Sequence, residues 1–154
     1  YEVYIDGKLY NNFINEISFQ ASNWKMWNFN ISLCEKKHFE LSADGFIIST
    51  PLWSTAYNSS LWWPILDHDS QVLWLTAKAP WKPRNMNSII FRDNTEIYIK
   101  NIGRFHWIEI YCDWHWEKFN DQNIKIQIKK SEIEIQLSIA DSQLTNWENK
   151  ILEF

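Results

Sequence analysis

The chain has 154 residues, the usual size of a single globular domain, and its 45% hydrophobic content excludes a disordered or collagen-like protein. The formal net charge of −4 gives no basic surface for the phosphates of a nucleic acid, so we expect no nucleic-acid partner. There is no run of about 18 apolar residues, which a membrane-spanning helix needs, so we expect no membrane partner either.

The first half of the chain alternates apolar and polar residues with a period of two, which predicts β-strands. In chain order the predicted strands are Glu2–Ile5, 13–19, Trp27–Leu33 and Gly45–Ser49. The segment 54–62 follows Pro51 without alternation, and Ser54 is a suitable N-cap residue, so we predict one short helix there.

The second half continues with strands at 71–76 and 105–112 and with two predicted hairpins. The first hairpin is 88–100, with a turn at Asp93-Asn94. The second joins the isoleucines of 124–128 to the apolar positions of 133–139 through a polar turn. About ten short strands predict an all-β fold, a two-layer antiparallel β domain with one short helix, and we expect one domain over 1–154.

The cysteine content and the first residues bear on the cellular compartment and on whether the chain is part of a longer protein. Cys34 and Cys112 are too few for a disulfide framework, which favours a reducing, cytoplasmic compartment. No signal peptide is visible in the first ten residues. The four histidines have no metal-site spacing, so we predict no metal ligands in this chain. Because the chain does not begin with Met, we expect it to be part of a longer protein.

Glycine and tryptophan are present in unusual numbers. The chain has 3 Gly and 11 Trp, whereas average usage predicts roughly 11 Gly in a chain of this length. Turns between strands need the positive φ that glycine adopts without steric cost.

The segment from Asp44 to Ile65, DGFIISTPLWSTAYNSSLWWPI, closely resembles the signature of the NAD kinase family. The family carries Asp-Gly, a short apolar strand, Thr-Pro-Thr-Gly-Ser-Thr-Ala-Tyr and then Gly-Gly-Pro. Upstream, Asn15-Glu16 stands where the family has its Asn-Glu pair, and downstream Asp113 begins the counterpart of a second Asp-Gly. The resemblance extends over most of the chain.

Four tryptophans stand at glycine positions of the family pattern, namely Trp53, Trp62, Trp63 and Trp114. We hypothesise that these residues are Gly in the living protein, because some bacterial lineages read the codon UGA as Gly where another table reads Trp. Trp24 and Trp27 are expected to follow the same rule, whereas Trp74 and Trp81 are compatible with genuine tryptophan. The alternative is an authentic Trp-rich protein.

The resemblance implies the C-terminal NAD-binding and oligomerisation part of an NAD kinase. Such enzymes transfer a phosphoryl group from ATP or polyphosphate to the 2′-hydroxyl of the adenosine ribose of NAD, with a divalent metal such as Mg²⁺. The catalytic Asp lies in a Gly-Gly-Asp-Gly motif of an N-terminal α/β domain that this sequence lacks. We therefore expect no catalytic residue in this chain, no activity of the chain alone, and a homo-oligomer in the full-length enzyme.

The resemblance also implies the binding residues. Asn15 and Glu16 would bind ribose hydroxyls, and Asp44 would accept from the nicotinamide carboxamide. The adenosine pocket would be formed by Thr55, Ala56, Tyr57 and Ser60, and Asp113 would lie near the subunit interface that completes the site.

Two other functions remain open from the sequence. The first is a non-catalytic nucleotide-binding or assembly module with the same fold. The second is a carbohydrate-binding β-sandwich that uses its tryptophans as stacking platforms, which the 17% aromatic content favours.

Overall fold

The computed structural model describes residues 1–22, 26–34, 37–53, 66–67, 69–86, 88–102, 107–120 and 123–134. The strands in these ranges are β1 (Glu2–Ile5), β2 (Lys8–Asn12), β3 (Glu16–Ala21), β4 (Trp27–Leu33), β5 (Lys37–Ala43), β6 (Gly45–Ser49), β7 (Val72–Lys78), β8 (Ile89–Arg92), β9 (Ile97–Asn101), β10 (Trp107–Cys112), β11 (His115–Asn120) and β12 (Lys125–Lys129). A single turn of 3₁₀ helix, Pro51–Trp53, follows β6. No helix within these ranges is long and apolar enough to cross a membrane.

The strands form two six-stranded antiparallel sheets. The first sheet has the order β2-β1-β12-β9-β4-β5, and the second has the order β11-β10-β3-β6-β7-β8. The chain passes repeatedly from one sheet to the other, for example between β5 and β6. The all-β, two-layer antiparallel fold expected from the sequence is confirmed, with the 3₁₀ turn as its helical element in the described ranges.

One hydrophobic core joins the two sheets. Phe29 of the first sheet contacts Phe46 of the second edge to face, with ring centroids 4.9 Å apart, and Phe46 stacks on Phe19 at 4.6 Å. Alternate residues of the central strands point into this core and are fully buried, among them Ile31, Ile99 and Leu75. Burial of such side chains contributes roughly 1.5–3 kcal/mol each, which makes the core the main source of stability.

Two tight turns at the ends of hairpins use the same residue type. Asp6 and Gly7 join β1 to β2 with φ of 49° and 80°, and Asp113, with φ of 50°, begins the two-residue turn between β10 and β11. Aspartate tolerates the left-handed region better than most residues, and glycine occupies it without cost. Trp114 thus stands at the turn position that Gly7 fills in the other hairpin.

Both predicted hairpins are wrong, because their strands have other partners. The strands predicted within 88–100 are β8 and β9, which belong to different sheets. Strand β12 has β1 on one side and β9 on the other, so neither edge is available to the segment after it, of which 135–139 lie outside the described residues. Alternation reports which face of a strand is buried, but not which strand pairs with it.

Candidate functional site

Three of the expected NAD-binding residues, Asn15, Glu16 and Asp44, lie along a strip formed by the central strands β3 and β6 of the second sheet, and of these Glu16 is in phase with the outer face. Phe19, Phe46 and Leu75 point into the core, so the residues between them along each strand point outward. On that outer face Ser18 lies opposite Ile47, and Ile47 lies opposite Thr76. These three side chains are nonetheless buried, Ile47 with only 1% exposure, so this face of the sheet is covered.

The Asn15-Glu16 pair lies at a corner where the chain enters β3. The carboxylate of Asp113 accepts three consecutive backbone N–H groups there: Ile14 N donates to Oδ2 at 2.9 Å, while Asn15 N and Glu16 N both donate to Oδ1 at 3.0 Å. In return, the Asp113 N–H donates to the Glu16 carbonyl at 3.0 Å. Successive N–H groups around one anion form a concave nest, and here the anion is a side chain of the protein itself.

Thr50 holds the same corner from the other side. Its hydroxyl donates to the Ile14 carbonyl at 2.7 Å, and its N–H donates to the Asn15 carbonyl at 2.9 Å. Thr50 has only 4% exposure, so both bonds are shielded from water. The backbone of residues 14–16 is therefore fixed on two sides, and the half-buried side chains of Asn15 and Glu16 leave it in set directions.

Asp44 lies at the opposite end of the same strand pair. Its N–H donates to the Lys78 carbonyl at 3.1 Å and its carbonyl accepts from Ala21 N at 2.8 Å, while its side chain is exposed. Since Gly45 pairs with Gln20 and Ser49 pairs with Glu16, Asp44 is separated from Glu16 by about five residues of strand, roughly 17 Å. The structure thus joins Asn15 with Glu16 and Asp113, and keeps Asp44 apart from them along one strip.

The backbone of Lys78 lies beside Asp44, and its side-chain ammonium lies between these two ends. Its ammonium donates to the Ser18 hydroxyl at 2.8 Å, reaching across β6 from β7 to β3. Burial lowers the pKa of Lys78, and the charge of Glu16 acts against that shift. A half-buried cation next to the predicted ribose-binding carboxylate gives the strip a positive charge midway along its length.

A cavity of about 360 Å³ adjoins the corner and is lined in part by Ile14, Thr50 and Leu52. One wall is the stacked pair Tyr1 and Phe13, with centroids 5.2 Å apart. A short ion pair lies on another side, with Lys130 Nζ 2.6 Å from the Asp93 carboxylate. The volume of this cavity falls within the range of small-molecule sites. Burial, together with the charge of Asp93, raises the pKa of the Tyr1 phenol, which stays protonated at neutral pH.

The expected adenosine-pocket residues Thr55, Ala56, Tyr57 and Ser60 lie outside the described residues, as does the predicted helix 54–62. In the ranges that the structure does describe, no group of three or more His, Cys, Asp or Glu side chains could hold a metal ion. These residues therefore offer no ligand set for the divalent metal that the family resemblance implies, and we derive no step through it.

Sequence reasoning missed two residues of this site, Thr50 and Lys78. Thr50 belongs to the Ser-Thr-Pro motif, and a hydroxyl at the buried end of an apolar strand was the available signal. Lys78 ends the otherwise apolar strand VLWLTAK in phase with Thr76 and Trp74, the residues of the same face. A lysine at an outward-pointing position of an apolar strand indicates that its ammonium binds a polar group on the outer face.

Sequence comparison relates this chain to NAD kinases. It is 46% identical over 61 residues to an NAD kinase of Xylella fastidiosa strain Temecula1, a match that covers 40% of this chain and 24% of that protein. It is 36% identical over 97 residues to an NAD kinase of Flavobacterium psychrophilum, covering 62% of this chain and 32% of the relative. The matched regions thus span about a third of these relatives or less. No protein-family model matches the chain.

Solved structures share the fold over nearly the whole chain. Yeast NADH kinase, solved in complex with NADH, superposes with a TM-score of 0.81 at 17% identity, over 99% of this chain and 49% of that one. An NAD kinase from Archaeoglobus fulgidus, solved in complex with ATP, gives a TM-score of 0.75 at 19% identity, over 99% and 59%. At such identities the likeness establishes the fold. Together with the sequence matches, it relates the chain to the C-terminal β-domain region of NAD kinases.

Proposed function

We propose that this chain is the NAD-binding part of an NAD kinase, the enzyme that phosphorylates the 2′-hydroxyl of the adenosine ribose of NAD. The observation that carries the proposal is the Asn15-Glu16 corner, held rigid by Asp113 and Thr50 in a chain whose sequence matches NAD kinases. Phosphoryl transfer depends mainly on positioning and charge neutralisation, and a rigid corner with an amide and a carboxylate suits the first task.

In this proposal Asn15 and Glu16 bind ribose hydroxyls, because a carboxylate accepts from such hydroxyls and an amide both donates and accepts. Asp44, exposed roughly 17 Å along the strip, accepts from the nicotinamide carboxamide. The ammonium of Lys78 lies between them and provides the positive charge that an anionic dinucleotide needs. Thr55, Ala56, Tyr57 and Ser60 form the adenosine pocket.

The rest of the reaction belongs to the longer enzyme. ATP or polyphosphate with a divalent metal supplies the transferred group and the neutralising charge. A Gly-Gly-Asp-Gly motif outside this sequence supplies the catalytic Asp, and a homo-oligomer in the cytoplasm completes the site. The solved relatives were crystallised with NADH or with ATP, which supports a nucleotide ligand for this region.

The test compares two lengths of the protein. The 154-residue chain should bind NAD in isothermal titration calorimetry and form no NADP. The reading frame extended upstream to a Gly-Gly-Asp-Gly motif should form NADP from NAD, ATP and Mg²⁺, as measured with an NADP-specific dehydrogenase. An extended protein that binds NAD without forming NADP would instead support the non-catalytic nucleotide-binding module.

Exposed tryptophans on the β10–β11 hairpin favour the alternative function of glycan binding. Trp116 stacks against Tyr111 on the outer side of the β10–β11 hairpin, with ring centroids 6.1 Å apart, and it is 58% exposed. Trp114 is 87% exposed at the tip of that hairpin. Exposed aromatic rings of this kind suit stacking on sugars. Saturable binding of an oligosaccharide, lost in Trp116→Ala, together with no binding of NAD, would favour this function over the kinase.

A further inference from the structure

We propose that Asp113 is a positioning residue for NAD, acting through the backbone of Asn15 and Glu16 rather than touching the ligand. This inference rests on the proposed function and assigns to Asp113 a role within one subunit. Both of its carboxylate oxygens are occupied by N–H groups of its own chain, at 2.9 to 3.0 Å. Hydrogen bonds donated to a charged acceptor at such distances are among the stronger ones in proteins.

The Asp6-Gly7 turn between β1 and β2 shows how many hydrogen bonds a turn aspartate needs in order to hold such a hairpin. Asp6 occupies the same turn position with the same left-handed backbone. Its N–H donates to the Lys125 carbonyl at 2.9 Å, and its carboxylate accepts one N–H, that of Lys125, at 3.1 Å. Asp6 therefore connects its turn to a neighbouring strand with one exchanged pair of hydrogen bonds.

Asp113 makes the equivalent pair with Glu16 and then two more bonds, to the N–H groups of Ile14 and Asn15. The Asp6 turn is connected to its neighbouring strand without two such additional hydrogen bonds. They orient the residues immediately before β3, including one of the two side chains expected to bind ribose. The extra bonds thus fix the direction of Asn15 relative to Glu16.

The three N–H groups also change the electrostatics of the corner. A free carboxylate beside an anionic dinucleotide would oppose its binding, whereas a carboxylate enclosed by three N–H dipoles has much of its charge compensated. Thr50 closes the opposite side of the corner through two shielded hydrogen bonds. The ligand then meets the two side chains of the corner and not the Asp113 charge.

The experiment compares Asp113→Asn with the matched control Asp6→Asn. Both variants replace a turn aspartate of the same backbone conformation, and Asp113→Asn should lower thermal stability more than Asp6→Asn because it disturbs three hydrogen bonds rather than one. A second variant, Asp113→Gly, removes the carboxylate while suiting the positive φ of 50°, which compensates part of the lost stability. Each protein is titrated with NAD by calorimetry, and amide hydrogen exchange is followed at residues 14–16.

We expect Asp113→Asn and Asp113→Gly to raise the Kd for NAD about tenfold and to accelerate exchange at residues 14–16, while Asp6→Asn leaves the Kd within about twofold. In an Asn15→Ala background, Asp113→Asn should raise the Kd further by less than about threefold, because residues that act through one another are not additive.

Two outcomes count against the account, and they are distinguishable. Faster exchange at residues 14–16 with an unchanged Kd for NAD, or full additivity with Asn15→Ala, would overturn the positioning role alone. Wild-type chain that does not bind NAD would overturn the proposed function, on which the positioning role depends.

Discussion

Gly45 lies against the carbonyl of Phe19 so closely that a Cβ atom added to Gly45 would be 2.1 Å from that oxygen. The atom it would meet belongs to the backbone of the neighbouring strand, which cannot turn aside as a side chain can. Position 45 therefore requires glycine, because β3 and β6 lie too close together there for any side chain. Gly45 also fixes Asp44 at the end of β6, where the proposal needs it.

The first prediction concerns this contact. Gly45→Ala should destabilise the chain by roughly 3 kcal/mol or more, because β3 and β6 must separate at the centre of the second sheet. Gly7→Ala is the matched control: no atom of the described ranges lies within 4 Å of an added Cβ there, and the cost, about 1 kcal/mol, comes from its φ of 80°. Urea denaturation of both variants measures the difference. Equal losses would show that β3 and β6 are not this close.

The second prediction separates two tryptophans. Trp114 is 87% exposed, so Trp114→Gly should leave the free energy of unfolding within about 0.5 kcal/mol of its original value. Trp27 is buried and stacks on Phe29 at 5.8 Å, although its Nε1 has no hydrogen-bond partner among the residues that the structure describes. Trp27→Gly should cost about 3–5 kcal/mol.

These two variants bear on the hypothesis that glycine occupies tryptophan positions in the living protein. The packing of the described residues is compatible with glycine at 114, whereas glycine at 27 would leave a cavity beside Phe29. Equilibrium unfolding of each variant is the measurement. A stable Trp27→Gly chain would contradict the packing around Trp27 and support the glycine hypothesis at that position.

The third prediction concerns the pH dependence that Lys78 produces. Because its pKa is lowered in the folded chain, the unfolded chain binds more protons in the interval between the lowered value and the ordinary value of 10.5. Stability should therefore rise with pH across that interval as the unfavourable charge is lost. Lys78→Met should remove this rise and increase stability at neutral pH.

Urea denaturation between pH 8 and pH 11 measures the effect of Lys78 as the difference between wild type and variant. Lys8→Met, at an exposed lysine, is the control and should leave the profile unchanged. The account of Lys78 fails if the two variants give the same pH profile. If Lys78 also serves NAD, Lys78→Met should weaken NAD binding about tenfold, while Lys8→Met should not.

The fourth prediction distinguishes the two cysteines. Burial raises the pKa of the Cys112 thiol to about 12, with Asp113 adding to the shift, and the thiol has only 1% exposure. Cys34 is exposed. Since the thiolate is the reactive form, iodoacetamide at pH 8 should modify one thiol per folded chain and the second only in denaturant. Mass spectrometry with Cys34→Ser as control identifies the site; rapid modification of Cys112 would contradict its burial.

Much of the fold was predictable because burial leaves a clear pattern. Strands β1, β4 and β6 were predicted with the bounds they have in the structure, and β4 and β6 are inner strands with strongly buried residues. The three unpredicted strands, β2, β5 and β11, are all at sheet edges. An edge strand buries less, and β11, HWEKFN, exposes nearly every side chain, so it shows no clear alternation.

For the candidate site, likewise, the sequence predicted some of the residues but not the contacts between them. The family pattern named Asn15, Glu16, Asp44 and Asp113, but the contact of Asp113 with residues 14–16 joins positions nearly 100 residues apart. No local pattern in the sequence reports such a contact. The bond from Lys78 to Ser18 likewise depends on the order of β3, β6 and β7 in the sheet, and the sequence specifies strands more clearly than their order.

The most direct test of the central claim is an NMR titration of the isotope-labelled chain with NAD, following the amide signals residue by residue. The account predicts saturable shifts concentrated at Asn15, Glu16, Asp44 and Lys78, with Asn15→Ala weakening them. Absence of saturable shifts, or shifts confined to the β10–β11 hairpin around Trp114 and Trp116, would contradict an NAD site along the strip from Asn15 to Asp44.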